Sequence, residues 1–289
     1  MNRGYPALLV LVLVSATAGC AALFGPHAEY PAIAPVPGAA EPVAADQPFR
    51  FEGGTETVGA VVDAGVLAGA RANAKEVTVR GDVPQEEWVA GAYRAQALDP
   101  AQDRFYADLL AGFREVRDRR GLDSDRYLEL VAAAVQQLPY VTAPGTAAKY
   151  PVETWVDGRG DCDDKALLLA GLLSREGYRV ALLVFLPESH MALGVGCPAG
   201  SDYGGSGYAY LEVTNASFVG VVPDGVRDAA SALVVPIGNG TTEYAAAPDT
   251  AAIEAGRLTA RSRVDALGPE IDRRRAALGT DRRRLEALR

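Results

Sequence analysis

The segment Tyr150 to Asp164, Tyr-Pro-Val-Glu-Thr-Trp-Val-Asp-Gly-Arg-Gly-Asp-Cys-Asp-Asp, and the residues that follow it constrain this chain more than any other stretch. Gly158 and Gly160 mark a loop. A helix is then expected from about Cys162 to Glu176, with Ala166, Leu169, Ala170 and Leu173 at helical spacing and Gly177 as its stop. Three strands follow, Arg179–Leu186, His190–Val195 and Tyr208–Val213, joined by a turn at Pro187-Glu-Ser189 and a Gly-rich hairpin loop over 198–207. A helix followed by strands with links this short predicts an α+β fold, the Cys-bearing helix packed on an antiparallel sheet.

The same stretch carries the candidate chemistry. A cysteine thiol is mostly protonated at neutral pH, so a nucleophilic Cys needs a device that stabilises its thiolate. Cys162 sits at a helix start, where unpaired N–H groups and the helix dipole favour an anion. His190 opens a strand one helix and one strand later, so it can return to that helix end as a base. Glu212, on the next strand, is placed to orient the imidazole. Asp161, Asp163 and Asp164 oppose this by crowding the thiol with negative charge; as first-turn acids Asp163 and Asp164 are expected to point away from the sulfur. A calcium role for Asp161 and Asp163 is conceivable, but two carboxylates fall short of the six or more oxygens that calcium takes. With two His in the chain, no metal and no cofactor are expected. Cys197 reads as structural, since seven strand residues would carry it about 23 Å from His190. Trp155 reads as core or rim rather than an oxyanion donor, a role that suits the Cys162 backbone N–H better.

Upstream, Asp99-Pro100-Ala101-Gln102 combines an N-cap, a proline at the first helical position and a capping-box Gln. Phe105, Leu109, Phe113 and Val116 then follow at helical spacing up to Gly121. A second helix is expected from Ser124, with Tyr127, Val131, Ala134, Val135 and Leu138 on one side and Pro139 at its end. Residues 49–98 form an uncertain N-terminal segment in which weak alternation between Val58 and Val79 suggests strands.

The N-terminus reads as an address. Arg3 precedes an apolar run, Ala7 to Ala18, too short to span a bilayer and matching a signal peptide. Thr17-Ala18-Gly19-Cys20 resembles a prokaryotic lipobox, which implies cleavage before Cys20, a lipid on that residue and a place on the outer face of the cell membrane. Residues 21–48, with Pro31, Pro35, Pro37 and Pro42, read as a Pro/Ala-rich tether, and His27 within it is set aside as a catalytic group. The sequons at Asn215 and Asn239 are compatible with export.

Charge completes the division. The chain carries −9, which argues against nucleic acid as a partner. Residues 251–289 hold ten Arg against six acidic residues, while the rest holds 18 basic against 31 acidic. This basic tail, after a linker over 226–250, is expected to be helical. Val264, Ile271, Leu278 and Leu285 recur every seven residues, with Leu267 and Leu288 beside them and a break at Gly268-Pro269. Arg274 and Asp281 at inner positions argue against a strong coiled coil; association through this helix and an amphipathic helix lying on its own domain both remain open.

Taken in order, Gly160-Asp-Cys162-Asp-Asp-Lys165, the Leu-rich helix, His190-Met-Ala-Leu-Gly and Tyr208-Ala-Tyr-Leu-Glu212-Val-Thr resemble the transglutaminase-like superfamily, and its prokaryotic cysteine-peptidase-like members most. Val135-Gln-Gln-Leu-Pro-Tyr140 is similar to the helix end that precedes the Cys segment there. The resemblance spans about residues 99–220, and the catalytic domain it implies is 99–225. It implies a papain-like core, a triad of Cys162, His190 and an acid, and a protein or peptide substrate. The family's acid is commonly Asp, where this chain has Glu212. Since the family includes peptidases, transglutaminases and catalytically dead scaffolds, the expected activity is amide hydrolysis or acyl transfer, with a non-catalytic surface module as the alternative.

Overall fold

A computed structural model describes residues 12–13, 25–142, 145–227 and 232–288. Strands β1 (Val12–Leu13) and β2 (His27–Glu29) flank β5 (Val77–Arg80) in a small sheet. Strands β3 (Val43–Phe51) and β4 (Gly54–Val62) form a nine-residue antiparallel hairpin turned by Glu52-Gly53, both at positive φ as a tight hairpin turn requires. Helix α1 (Ala64–Ala72) follows, capped by Asp63, whose side chain accepts from the N–H groups of Gly65 and Val66. After β5 comes α2 (Gln85–Ala97). The expected 99–121 helix is present as a short 3₁₀ turn, Pro100–Gln102, capped by Asp99, running into α3 (Asp103–Arg120) and ending at a left-handed Gly121. The second is α4 (Ser124–Gln136).

The site-bearing half is built from α5 (Pro151–Asp157), α6 (Cys162–Arg175), β6 (Val180–Phe185), β7 (His190–Gly196) and β8 (Tyr208–Leu211). A short helix α7 (Asp224–Arg227) and strand β9 (Leu233–Ile237) follow. The sheet runs β8-β7-β6-β9 with every pairing antiparallel. The sequence leads to three of these strands. β9 lies in the stretch that reads as linker, and Pro236 suits it to the sheet edge, where a missing N–H breaks no inner ladder.

Helix α6 lies against this sheet and is buried all round from Cys162 to Leu173, apolar throughout from Ala166 on, the mark of a helix enclosed on every side. Leu167, Leu168, Leu169, Leu172 and Leu173 are fully buried. One continuous apolar cluster joins them to Leu109 and Phe113 of α3, Trp155 of α5, Val58 of β4 and Ile33. Truncating any one of those leucines to Ala would cost about 2–5 kcal/mol.

The N-terminal segment therefore belongs to the body. The Trp155 indole donates to the Ala45 carbonyl at 3.0 Å, and Gln47 donates back to the Trp155 carbonyl at 3.0 Å. Much of what composition marks as tether is folded too: residues 43–48 lie in β3, and Ile33 is buried with its N–H on Asp99 at 2.7 Å. Proline there sets an extended path along the surface without preventing side chains from docking. Strands were expected between Val58 and Val79, yet that stretch also holds α1, and α2 lies just beyond it.

At the other end, α8 runs unbroken from Ala247 to Glu286, through Pro269. A break was expected there. Proline removes one backbone hydrogen bond and crowds the preceding turn, and Gly268 beside it meets no neighbouring atom, so nothing packed against the helix forces it to end.

Candidate active site

Cys162 is the first residue of α6. Asp161 caps the helix, accepting from the Asp164 N–H, while the Asp164 carboxylate reaches back to the Asp161 N–H, a reciprocal capping box. Gly160 is needed for this fold-back, since a Cβ there would lie 2.7 Å from the Asp164 Cβ. Gly160 also pairs its backbone with residues 139–141, which ties the Cys loop to the segment after α4.

The Cys162 sulfur is nearly enclosed, at 6% exposure, and accepts from the backbone N–H groups of Met191 and Asp163. Met191 follows His190 directly, so the thiol rests against the strand at the residue next to the imidazole. Alternation along β7 sends Met191, Leu193 and Val195 toward α6, and His190 and Ala192 toward the opposite face with Phe185 and Tyr210. The His190 ring stacks beside Phe185. The thiol thus meets β7 at Met191, while the imidazole turns to the opposite face at the end of the sheet where β7 begins.

Glu212 follows the last residue of β8. Leu193 pairs with Leu211, so one further step sets Glu212 beside Ala192 and diagonal to His190. His190 Nε2 lies 3.3 Å from Glu212 Oε2. The other oxygen, Oε1, accepts from the Val213 N–H at 3.0 Å, the Thr214 N–H at 2.8 Å and the Thr214 hydroxyl at 2.6 Å. Burial pushes this carboxyl up, but the bonds from His190 and Thr214 outweigh it and hold it down at about 2.

Four residues at the site are given no role by the sequence reading. The Tyr210 hydroxyl donates to Glu212 Oε2 at 2.9 Å and lies 3.1 Å from His190 Nε2. Tyr93 of α2 and Tyr140 bring phenols within the field of the Cys162 sulfur and its neighbouring acids; burial first, then those charges, raises both above the ordinary tyrosine range. Lys165 is fully buried one turn along α6. Its ammonium donates to the carbonyls of Gln136 (3.0 Å), Leu138 (3.0 Å) and Thr214 (3.3 Å), and burial lowers it to about 8 although Glu212 pulls it back up. The only sequence signal among them is the two-residue spacing that puts Tyr210 on the face of Glu212.

Electrostatics at the sulfur are unfavourable to a resting thiolate. Burial pushes the Cys162 thiol up, and Asp163 and Asp161 push it further; the Met191 and Asp163 N–H groups offset only part. Asp163 is itself raised well above the carboxylate range, by burial first and then by a hydrogen bond with Asp161 and the charges of Asp161 and Asp164. Asp164 is raised to about 6, burial being the main cause. The expectation that these acids point away therefore holds only in part. Asp164 turns to the Lys149 N–H at 2.7 Å, whereas Asp163 stays in the field of the thiol. Carboxylate oxygens of Asp161, Asp163 and Asp164 lie within 4.8 Å of one another, and the Asp164 N–H already donates to one oxygen of Asp161 and one of Asp163.

Of the remaining candidates, Cys197 is buried at the far end of β7, accepts from the Ala209 N–H and has no disulfide partner among the described residues. Trp155 is fully buried, its N–H on Ala45, so its place is structural. Cys20 lies outside the described residues.

No family model and no curated protein matches the chain. Among solved structures, calcium-bound LapG from Legionella pneumophila is similar over 53% of this chain and 80% of its own, at 21% identity and a TM-score of 0.26, a likeness too loose to argue from. The fold itself is mixed helix and antiparallel sheet with a long C-terminal helix. No helix of the described residues is long and apolar enough to cross a membrane.

Proposed function

We propose that this chain is an exported cysteine hydrolase or acyltransferase of the transglutaminase-like type, acting on amide bonds in proteins or peptides. One observation carries the reading: the Cys162 sulfur rests on the Met191 N–H while His190, one residue earlier, sets Nε2 3.3 Å from Glu212. With Nε2 on the acid, Nδ1 is the nitrogen that would take the thiol proton. The raised thiol means that Cys162 starts protonated and that His190 acts as a general base when substrate arrives, in place of a resting ion pair. Sulfur attacks the amide carbonyl, and the Cys162 backbone N–H, first of its helix and without an i−4 partner, faces the developing oxyanion. Imidazolium, held by the ionised Glu212, then gives its proton to the departing amine. Water or a second amine resolves the thioester.

The test is turnover on a broad amide and peptide library. Cys162→Ala and His190→Ala should each lower it by at least about a thousandfold, because the two act as one unit. Turnover surviving in Cys162→Ala would refute the assignment. The same proposal places the protein on the cell surface through a lipid on Cys20, so labelled fatty acid should enter the wild type and not Cys20→Ser.

A second reading, a non-catalytic surface module, draws on the acid-crowded thiol and the exposed length of α8. It requires that no peptide in the library is turned over and that deleting 251–289 abolishes binding to a partner.

A further inference from the structure

Helix α8 touches the body with one face only. Ala247 and Glu254 are buried, and Thr250, Ala251 and Leu258 are half-buried, recurring at three- and four-residue spacing. Beyond Leu258, among the described residues, an exposed ion pair, Arg261 with Asp224 at 3.6 Å, reaches the body. A second stripe lies about 145° round the helix, at roughly 100° per residue. It comprises Ile253, Val264, Leu267, Ile271, Leu278 and Leu285, with exposures between 47% and 71%, and Leu288 follows at 84%. Apolar residues on a seven-residue spacing, turned away from their own domain, form the seam by which helices pair.

Two charged residues on that seam select the partner. Written as heptads, Val264, Ile271, Leu278 and Leu285 occupy one inner position, and Leu267, Arg274, Asp281 and Leu288 the other. A parallel, in-register pair would press Arg274 on Arg274 and Asp281 on Asp281. An antiparallel pair aligns the two inner positions with each other: Val264 with Leu288 of the second copy, Ile271 with Asp281, Leu278 with Arg274, and Leu285 with Leu267. Arg274 then lies three residues, about 4.5 Å of rise, from Asp281 of the second copy, and the contact is repeated about the two-fold axis. Among the inner charges the one like-charge approach, Arg274 to Arg274, is wider at about 6 Å of rise. Two attractions against one weaker repulsion favour this arrangement, while the parallel one has only repulsions at its inner charged layers.

We infer that residues 264–288 of α8 bind the same helix of a second copy in an antiparallel two-stranded coiled coil, with Arg274 and Asp281 setting the direction. The inner charges that weaken the seam are the groups that give it an orientation, as polar residues at inner heptad positions do elsewhere. Because the stripe faces away from the body, the two domains sit at opposite ends of the joint and do not collide.

Sedimentation velocity of the full chain over a wide concentration range tests this. A reversible monomer–dimer equilibrium is expected, weakened by added salt. Ile271→Glu with Leu278→Glu should leave a monomer of unchanged circular dichroism, since both side chains are exposed on the stripe turned away from the body. Arg274→Asp and Asp281→Arg should each weaken dimerisation about tenfold, and the double exchange should restore it to within about threefold, which is the mark of a direct pairing. A chain monomeric at every concentration would overturn the inference. So would a dimer indifferent to the glutamates, single exchanges without effect, or a double exchange that remains weak.

Discussion

Tyr210 is the residue through which the acid and the imidazole meet twice, once directly and once by way of a phenol. Its hydroxyl donates to Glu212 Oε2, so its oxygen is turned to accept from His190 Nε2–H. Glu212 keeps three donors on its other oxygen whatever happens to the tyrosine. Tyr210→Phe should therefore fold, with a loss of about 1 kcal/mol for the hydrogen bonds removed. What should change is the hold on the ring: kcat falls about tenfold with KM unmoved, and Glu212→Gln falls further because the ion partner of imidazolium goes with it. Full kcat in the Phe variant would reduce Tyr210 to packing. The sequence exposes Cys162, His190 and Glu212 because each sits at a recognisable element edge. It does not expose Tyr93 or Tyr140, since nothing local to α2 or to residue 140 says that the Cys helix ends beside them. Tyr210 was half visible: its parity with Glu212 is readable, but the register that makes His190 diagonal to that pair is a property of the folded sheet.

Lys165 works between elements. Its ammonium bonds two carbonyls at the end of α4 and one just after β8, so it pins the two segments that frame the proposed triad. Lys165→Met keeps the stem and strands those three acceptors, which should lower stability by about 1–3 kcal/mol in urea unfolding. The loss should also depend on pH. With the folded value near 8 and the unfolded value near 10.5, the unfolded wild type binds more protons between these limits. The stability of wild type relative to Met should thus rise with pH across that window; a flat difference would mean that the lysine titrates normally. Elements with strong local signals, α3, α4, α6 and the strands after it, are where the pattern puts them. Helix α1 was obscured because Gly65 and Gly69 dilute its helical composition. Those glycines answer a tertiary contact: a Cβ on Gly69 would lie 2.2 Å from the Ala34 carbonyl, and one on Gly65 2.6 Å from that of Val36. The extended 32–36 segment lies directly on the helix, and no window centred on α1 contains it.

At the scale of the molecule, the two ends of the described chain look alike in composition terms, each an appendage poor in core-forming pattern, and they differ in attachment. The N-terminal segment is stitched down. Ile33 is buried, its N–H bonds Asp99, Asn73 donates to the Ala32 carbonyl at 2.7 Å, and the Val36 N–H meets Gly65 at 3.0 Å. Among the described residues, the C-terminal helix beyond Leu258 reaches the body through the exposed Arg261–Asp224 pair, a class of contact worth at most about 1 kcal/mol. Removing residues 259–289 should consequently leave the denaturant midpoint and the m-value per residue of the remaining body nearly unchanged, and should leave peptide turnover intact while abolishing self-association. Replacing Ile33 by Asp should do the opposite. It puts a charge where an apolar side chain is enclosed and a backbone N–H meets Asp99, at a loss of about 3 kcal/mol or more, and it should lower the midpoint of the full and the shortened chain equally. A shortened chain that unfolds earlier than the full one would mean that α8 supports the body along its length, and the division between a stitched N-terminus and a projecting C-terminal helix would fail.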